Sequence, residues 1–151
     1  MSIDLRNLFD ESTIDLDLPG ESKDDILRGL IGLLGVDEKS EAALHKMLRR
    51  RENLGSTGIG RGIAIPHCRS LAVDRLRVAF ARKPGGIDFR AVDGRPVYHF
   101  FLIVAPPLEV SNQYLPVLGR IAQFAKHPLV PERLATLEKP SDFLALVEST
   151  V

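Results

Sequence analysis

Residues 55–67 read Gly-Ser-Thr-Gly-Ile-Gly-Arg-Gly-Ile-Ala-Ile-Pro-His, a glycine-rich loop with two hydroxyls that runs into a short apolar strand ending on a histidine. Glycine at 55, 58, 60 and 62 permits positive φ angles and close backbone approach, so several N–H groups can converge on one oxyanion. Ser56 and Thr57 add hydroxyl donors to the same loop. The pattern reads as an anion cradle that delivers its cargo to a nucleophile.

The direction of the loop restricts the chemistry. It lacks the G-x-G-x-x-G spacing of a dinucleotide site and the lysine of a P-loop. It leads into Ile63-Ala64-Ile65-Pro66, a strand over residues 62–66, rather than into a helix whose N-terminus could hold a pyrophosphate. Nucleotide binding is therefore disfavoured.

Upstream, Ser22 precedes Lys23-Asp24-Asp25 and then Ile26, Leu27, Leu30, Ile31 and Leu34: a cap, an acidic first turn and an apolar stripe at helical spacing, closed by Gly35. A second helix is predicted from about Lys39 to Glu52, with Leu44, Met47 and Leu48 inward. Arg49-Arg50-Arg51 crowd its C-terminus, where cations complement the negative helix pole, and Gly55 breaks it. Downstream, residues 76–81 alternate as a strand and residues 82–88 read as a turn. Residues 91–96 carry a second turn signal, and Val97–Val104 is a near-continuous apolar run, expected of a central strand buried on both faces. Leu115, Leu118, Ile121, Ala122 and Ala125 have helical period in a helix starting at Asn112 or Gln113, with Pro116 in its first turn. Two short helices follow, one beginning near Pro131 and one capped by Ser141 that carries Phe143, Leu144 and Val147. Helices and strands interleave, which predicts an α/β fold.

With 151 residues the chain suits one domain over residues 1–151, and 44% hydrophobic with 26% charged residues is a globular composition. Twenty basic and twenty acidic residues cancel, which disfavours nucleic acid as a partner. The single cysteine, Cys68, cannot form an intrachain disulfide, and the opening Met-Ser-Ile-Asp-Leu-Arg is not a leader pattern, so a reducing compartment, the cytoplasm, is expected. The longest strongly apolar run, Phe100–Ala105, is far short of the roughly 20 residues that cross a bilayer, so direct membrane insertion is not expected. No motif calls for a cofactor, and His45, His99 and His127 show no metal-ligand spacing; they are expected on a helix surface, in a strand and before a proline respectively.

Ser56 to His67 matches, at every fixed position, the string S-T-G-I-G-x-G-I-A-I-P-H that characterises the IIA components of the bacterial phosphoenolpyruvate-dependent phosphotransferase system, of the fructose, mannitol and nitrogen-regulatory type. The chain resembles that family over almost its whole length, and most closely its nitrogen-regulatory branch. The resemblance implies a single domain with a mixed β-sheet flanked by helices. It also implies that His67 accepts a phosphoryl group from a small HPr-like histidine phosphocarrier, on Nε2 with Nδ1 held by a backbone group. The residues agree with such chemistry: a neutral imidazole attacks phosphorus and returns the group readily from the phosphoramidate, whereas an isolated histidine at such a place is usually a hydrogen-bonded turn residue. Arg51, at the helix end before the loop, stands where the family places an arginine beside the phosphohistidine, and its guanidinium fork suits a phosphoryl dianion. Ser56 and Thr57 either bond phosphoryl oxygens or stabilise the loop itself.

Three positions depart from the family. Tyr114 replaces its second histidine, in Tyr114-Leu115-Pro116-Val117-Leu118, and either donates a hydrogen bond in the site or simply packs. Arg61 stands where asparagine or aspartate is common, as a solvated loop arginine or as positive potential for docking. Cys68 follows His67 in place of glycine, as a passive side chain or a redox-sensitive thiol. The expected function is a phosphoryl-carrier and regulatory IIA protein that controls partners by its phosphorylation state. The alternatives are a fructose or mannitol IIA donor to a IIB domain, and an interaction module of this fold that is no longer phosphorylated.

Overall fold

The computed structural model describes residues 4–108 and 112–150. Its centre is β6 (Val97–Ala105), the apolar run of the sequence, whose residues are buried apart from Tyr98. β5 (Arg77–Ile87) lies antiparallel along one edge of β6, and β1 (Ile14–Asp15) adds in parallel beyond it. The other edge is shared: β3 (Ile63–Ala64) pairs in parallel with His99 and Phe100, and β4 (His67–Arg69) with Ile103 to Ala105. β2 (Gly58–Gly60) closes the six-stranded mixed sheet antiparallel to β3.

Alternation along β6 divides the core in two. Phe101, Ile103 and Ala105 join Phe80 beneath α3 (Tyr114–Lys126), α4 (Val130–Ala135) and α5 (Pro140–Thr150), while Phe100, Leu102 and Val104 meet α1 (Lys23–Gly32) and α2 (Glu38–Asn53). The chain is an α/β domain with helices on both faces of one sheet. α1 starts as its sequence predicts: the Ser22 hydroxyl accepts from the Asp25 N–H at 3.1 Å, a cap worth about 1 kcal/mol, and Gly35 follows the helix with φ +68°. Among the described residues no helix is long and apolar enough to cross a membrane.

Several expectations need correction. Residues 82–88 are not a turn: β5 runs on to Ile87, and the pairing shifts register between Arg82 and Ile87, an irregularity that accommodates Pro84-Gly85-Gly86. The Arg82 guanidinium holds the strand there, donating to the carbonyls of Leu16 (2.9 Å), Leu134 and Leu137 (2.8 Å each). The strand expected over residues 62–66 is only Ile63–Ala64, and pairing resumes at His67. Met47 does not point inward; the buried stripe of α2 is Leu44, His45, Leu48 and Glu52. His45 is accordingly not a surface residue, since its Nε2 lies 2.6 Å from Asp24 Oδ1 on α1. Ser141 is not a cap: α5 starts at Pro140, and the Asp142 carboxylate accepts from the Glu138 and Lys139 N–H groups.

Candidate functional site

Pro66 interrupts the pairing of β3, and His67 opens β4 opposite Ile103. Strand alternation then places His67 and Arg69 together on one face, while Cys68 joins the α1/α2 core. His67 Nδ1 is 2.7 Å from the Ile65 carbonyl oxygen. A carbonyl only accepts, so Nδ1 carries the proton and the lone pair is left on Nε2. Among the described residues Nε2 has no hydrogen-bond partner of its own.

His67 lies in a cleft of 440 Å³ between α2 and α3, with Arg50 and Arg51 on one side and Arg69 and Tyr114 on the other. Arg51 Nη1 donates to the Gly55 carbonyl at 2.8 Å, which ties the guanidinium to the start of the glycine loop. Arg69, which the sequence reading did not single out, lies over the Tyr114 ring at 4.4 Å and donates to the Pro106 carbonyl. Its sequence signal was the spacing of two residues from His67 in a strand. The Tyr114 ring centroid is 6.2 Å from that of His67. Burial, with a smaller contribution from Cys68, pushes the Tyr114 phenol up to about 12 against the pull of Arg69 and Arg51, so it is an O–H donor at neutral pH. Burial likewise pushes the Cys68 thiol up to about 12, which removes the thiolate that redox reactivity needs.

Ser56 and Thr57 belong to the loop rather than to the cleft wall. The Ser56 hydroxyl donates to the Phe89 carbonyl at 2.6 Å and accepts from the Gly58 N–H at 3.0 Å. Thr57, 4% exposed, donates its hydroxyl and its N–H to the carboxylate of Glu52. Arg61 is exposed, as a loop arginine would be, but it is also tied down: at φ +59° its guanidinium donates to the Ala125 and His127 carbonyls, both at 2.9 Å, and caps the C-terminus of α3. Gly58 is required by close approach, since a Cβ there would stand 2.7 Å from the Ala91 Cβ.

The cleft is rimmed by apolar side chains open to solvent. Leu54 and Leu115 are 86% and 65% exposed, and Met47 and Leu118 complete the rim. An apolar collar around a cationic centre is suited to a protein partner. A larger concavity of 780 Å³ lies by the opposite end of β6, where His99, Arg82 and Tyr98 contribute to its wall. Its histidine, His99, is only 3% exposed, whereas His67 is half-buried and opens on the smaller cleft. Among the described residues no cluster of His, Cys, Asp or Glu is placed to hold a metal ion.

The family model for the phosphoenolpyruvate-dependent sugar phosphotransferase system, EIIA 2, matches residues 7–150. The chain belongs to the EIIA type 2 family. This IIA chain is 33% identical over 138 residues to the fructose-specific EIIA component of Haloferax volcanii, covering 89% of itself and 88% of that protein. It is 27% identical over 145 residues to the fructose-specific EIIABC component of Bacillus subtilis, covering 95% of itself but spanning only 23% of that longer relative. Among solved structures, the nitrogen regulatory protein IIA-Ntr from Neisseria meningitidis superposes with a TM-score of 0.85 at 31% identity, over 95% of this chain and 98% of that one. Enzyme IIA-mannitol of Escherichia coli, solved in complex with phosphorylated enzyme IIB-mannitol, shares the fold with a TM-score of 0.74 at 22% identity, over 93% and 97% of the two chains.

Proposed function

We propose that this IIA chain is a phosphoryl carrier with a regulatory role, taking a phosphoryl group on His67 Nε2 from the phosphohistidine of an HPr-like carrier protein. The observation that carries the reading is the fixed tautomer: the Ile65 carbonyl holds the Nδ1 proton, so Nε2 presents its lone pair beside Arg51, Arg69 and Tyr114. In the transfer, Nε2 forms a bond to phosphorus as the bond from phosphorus to the carrier's imidazole breaks, and that electron pair returns to the carrier's nitrogen. The Nδ1 proton stays on its own ring. Its hydrogen bond strengthens as the ring takes on imidazolium character, which stabilises the phosphorylated form. Arg51 and Arg69 supply cationic donors for the phosphoryl oxygens, and the Tyr114 hydroxyl supplies a neutral one.

Phosphorylation adds nearly two negative charges inside the apolar collar of Leu54, Leu115 and Leu118. A partner seated on that collar then meets a buried dianion, so the unphosphorylated protein binds regulatory targets more tightly than the phosphorylated one. The likeness to IIA-Ntr and the tyrosine at position 114 support the regulatory role. Onward transfer to a IIB domain is the second reading, supported by the IIA-mannitol structure of the same fold, which was solved with its IIB partner. The cytoplasm is the proposed compartment.

The test is intact-mass analysis at mildly alkaline pH after incubation with phosphoenolpyruvate, enzyme I and a cognate carrier. One acid-labile phosphoryl group is expected on the wild type and none on His67→Ala. No mass gain on the wild type overturns the carrier reading and leaves an interaction module.

A further inference from the structure

Glu52 is the least expected charge in the molecule. It sits in the last turns of α2, 6% exposed, and is surrounded by donors: Lys23 Nζ at 2.9 Å from α1, the Thr57 N–H at 3.1 Å and the Thr57 hydroxyl. Thr57 in turn uses its own carbonyl to accept from the Ile65 N–H at 3.0 Å, and the Ile65 carbonyl accepts the His67 Nδ1 proton at 2.7 Å. Four consecutive contacts therefore run from Lys23 to the imidazole, and each is made by a buried or half-buried group.

We infer that Glu52 is a positioning residue for His67: it anchors Thr57, which anchors the backbone of Ile65, which selects the tautomer of the imidazole. This rests on the phosphoryl-acceptor reading for its effect on rate, but not for its effect on tautomer. Besides the packing of its side chain in the core, two backbone hydrogen bonds among the described residues hold the segment at Ile65: Thr57 accepts from its N–H, and through the next residue the Ile103 N–H of β6 donates to the Pro66 carbonyl at 3.0 Å. Pro66 has no N–H to add a third tie. If the Glu52 carboxylate is removed, the Thr57 N–H and hydroxyl become buried donors without an acceptor, and Lys23 loses its counter-charge. The loop must then move to find water, and residue 57 is one of the two supports of the carbonyl that fixes His67. A histidine released from that carbonyl distributes its proton between both nitrogens, and every molecule with the proton on Nε2 has no nucleophile in the cleft.

Lys23 of α1 makes a second contact beside the one to Glu52. Its ammonium lies 4.3 Å from the centre of the Phe89 ring, and the Phe89 carbonyl accepts from Ser56. Each hydroxyl residue of the loop is thus tied to a residue that touches Lys23, Thr57 to Glu52 and Ser56 to Phe89.

The test is the ¹⁵N NMR signature of the His67 imidazole, read together with the phosphoryl-transfer rate and the thermal midpoint. The variants are Glu52→Ala, Glu52→Gln and Thr57→Val, with Val147→Ala in α5 as a destabilised control remote from the relay. The wild type is expected as the Nδ1–H tautomer. Glu52→Ala is expected to raise the Nε2–H population and to slow transfer by about tenfold or more, the usual scale for losing an orienting partner. Glu52→Gln keeps an acceptor for Thr57 and is expected to keep the tautomer, and Val147→Ala to lower the midpoint without moving it. A folded Glu52→Ala protein with the wild-type tautomer overturns the inference. Should Glu52→Ala not fold, Thr57→Val decides: a shift in the same direction supports the relay, and an unmoved tautomer overturns it. A wild type that accepts no phosphoryl group refutes the proposed function, while the tautomer comparison still decides this inference.

Discussion

Replacing Arg51 by alanine is expected to shift the phosphorylation equilibrium of His67 toward the unphosphorylated protein by roughly tenfold. A hydrogen bond to a charged group contributes about 1.5–3 kcal/mol, and each 1.36 kcal/mol is a factor of ten, which brackets the effect between roughly tenfold and a hundredfold. Arg51 is half-buried and its cleft opens to water, so the lower bound applies. Geometry separates it from Arg50, which lines the same cleft. The Arg51 guanidinium is held by the Gly55 carbonyl at 2.8 Å, whereas Arg50 is exposed with no hydrogen bond or ion pair among the described residues. Arg51→Lys keeps the charge but loses the fork needed to bond Gly55 and a phosphoryl oxygen at once, and should fall between wild type and alanine. The assay is ³¹P NMR of an equilibrated mixture with the carrier, comparing wild type, Arg51→Ala, Arg51→Lys and Arg50→Ala. An Arg51→Ala equilibrium that matches wild type, or an Arg50→Ala effect as large as that of Arg51→Ala, would refute the reasoning.

Two further outcomes concern the opposite end of β6. Burial, with Arg82 next and against a hydrogen bond to Pro131, lowers His99 from 6.5 to about 4, so between those values the unfolded chain binds a proton that the native protein does not. Stability is therefore full above pH 6.5 and falls as the pH drops toward 4, by about 3 kcal/mol at most. Urea midpoints at neutral and mildly acidic pH should show this fall in the wild type and lose it in His99→Asn; an unchanged pH slope in the variant would sink the assignment. Arg82→Met removes the donor to the Leu16, Leu134 and Leu137 carbonyls and should cost about 3–5 kcal/mol, lowering the melting midpoint by roughly 6–20 °C. A drop of only a degree or two by circular dichroism would contradict that role.

What could be read from the sequence was what depends on neighbours in sequence. The cap at Ser22, the stop at Gly35, the apolar run of β6 and the loop leading to His67 all declare themselves within a few residues. Several of the misread residues are ones whose partners lie far along the chain. Arg82 is explained by carbonyls 52 to 66 residues away, and Arg61 by carbonyls 64 and 66 residues away. Without them, Arg82 opens a Pro-Gly-Gly turn and Arg61 is one more cation in a loop. His45 was expected on the surface of α2, and Glu52 drew no reading, because nothing in the helix pattern announces Asp24 or Lys23 as partners. Arg69 was passed over for the same reason: its meaning comes from Tyr114, which reaches it only once α3 has packed on the sheet.

The bond pair made by Arg61 has a mechanical side. α3 begins at Tyr114 in the cleft and ends where Ala125 and His127 are gripped from the glycine loop, so this helix is a beam fixed at both ends to parts of the site. It cannot slide along its axis without stretching two charged hydrogen bonds to the residue that lies between Gly60 and Gly62. A protein pressing on Leu115 and Leu118 therefore loads the segment that leads to His67 from behind. An asparagine at position 61 would sit more easily at φ +59° but would release the far end of the beam, exchanging backbone ease for a looser frame.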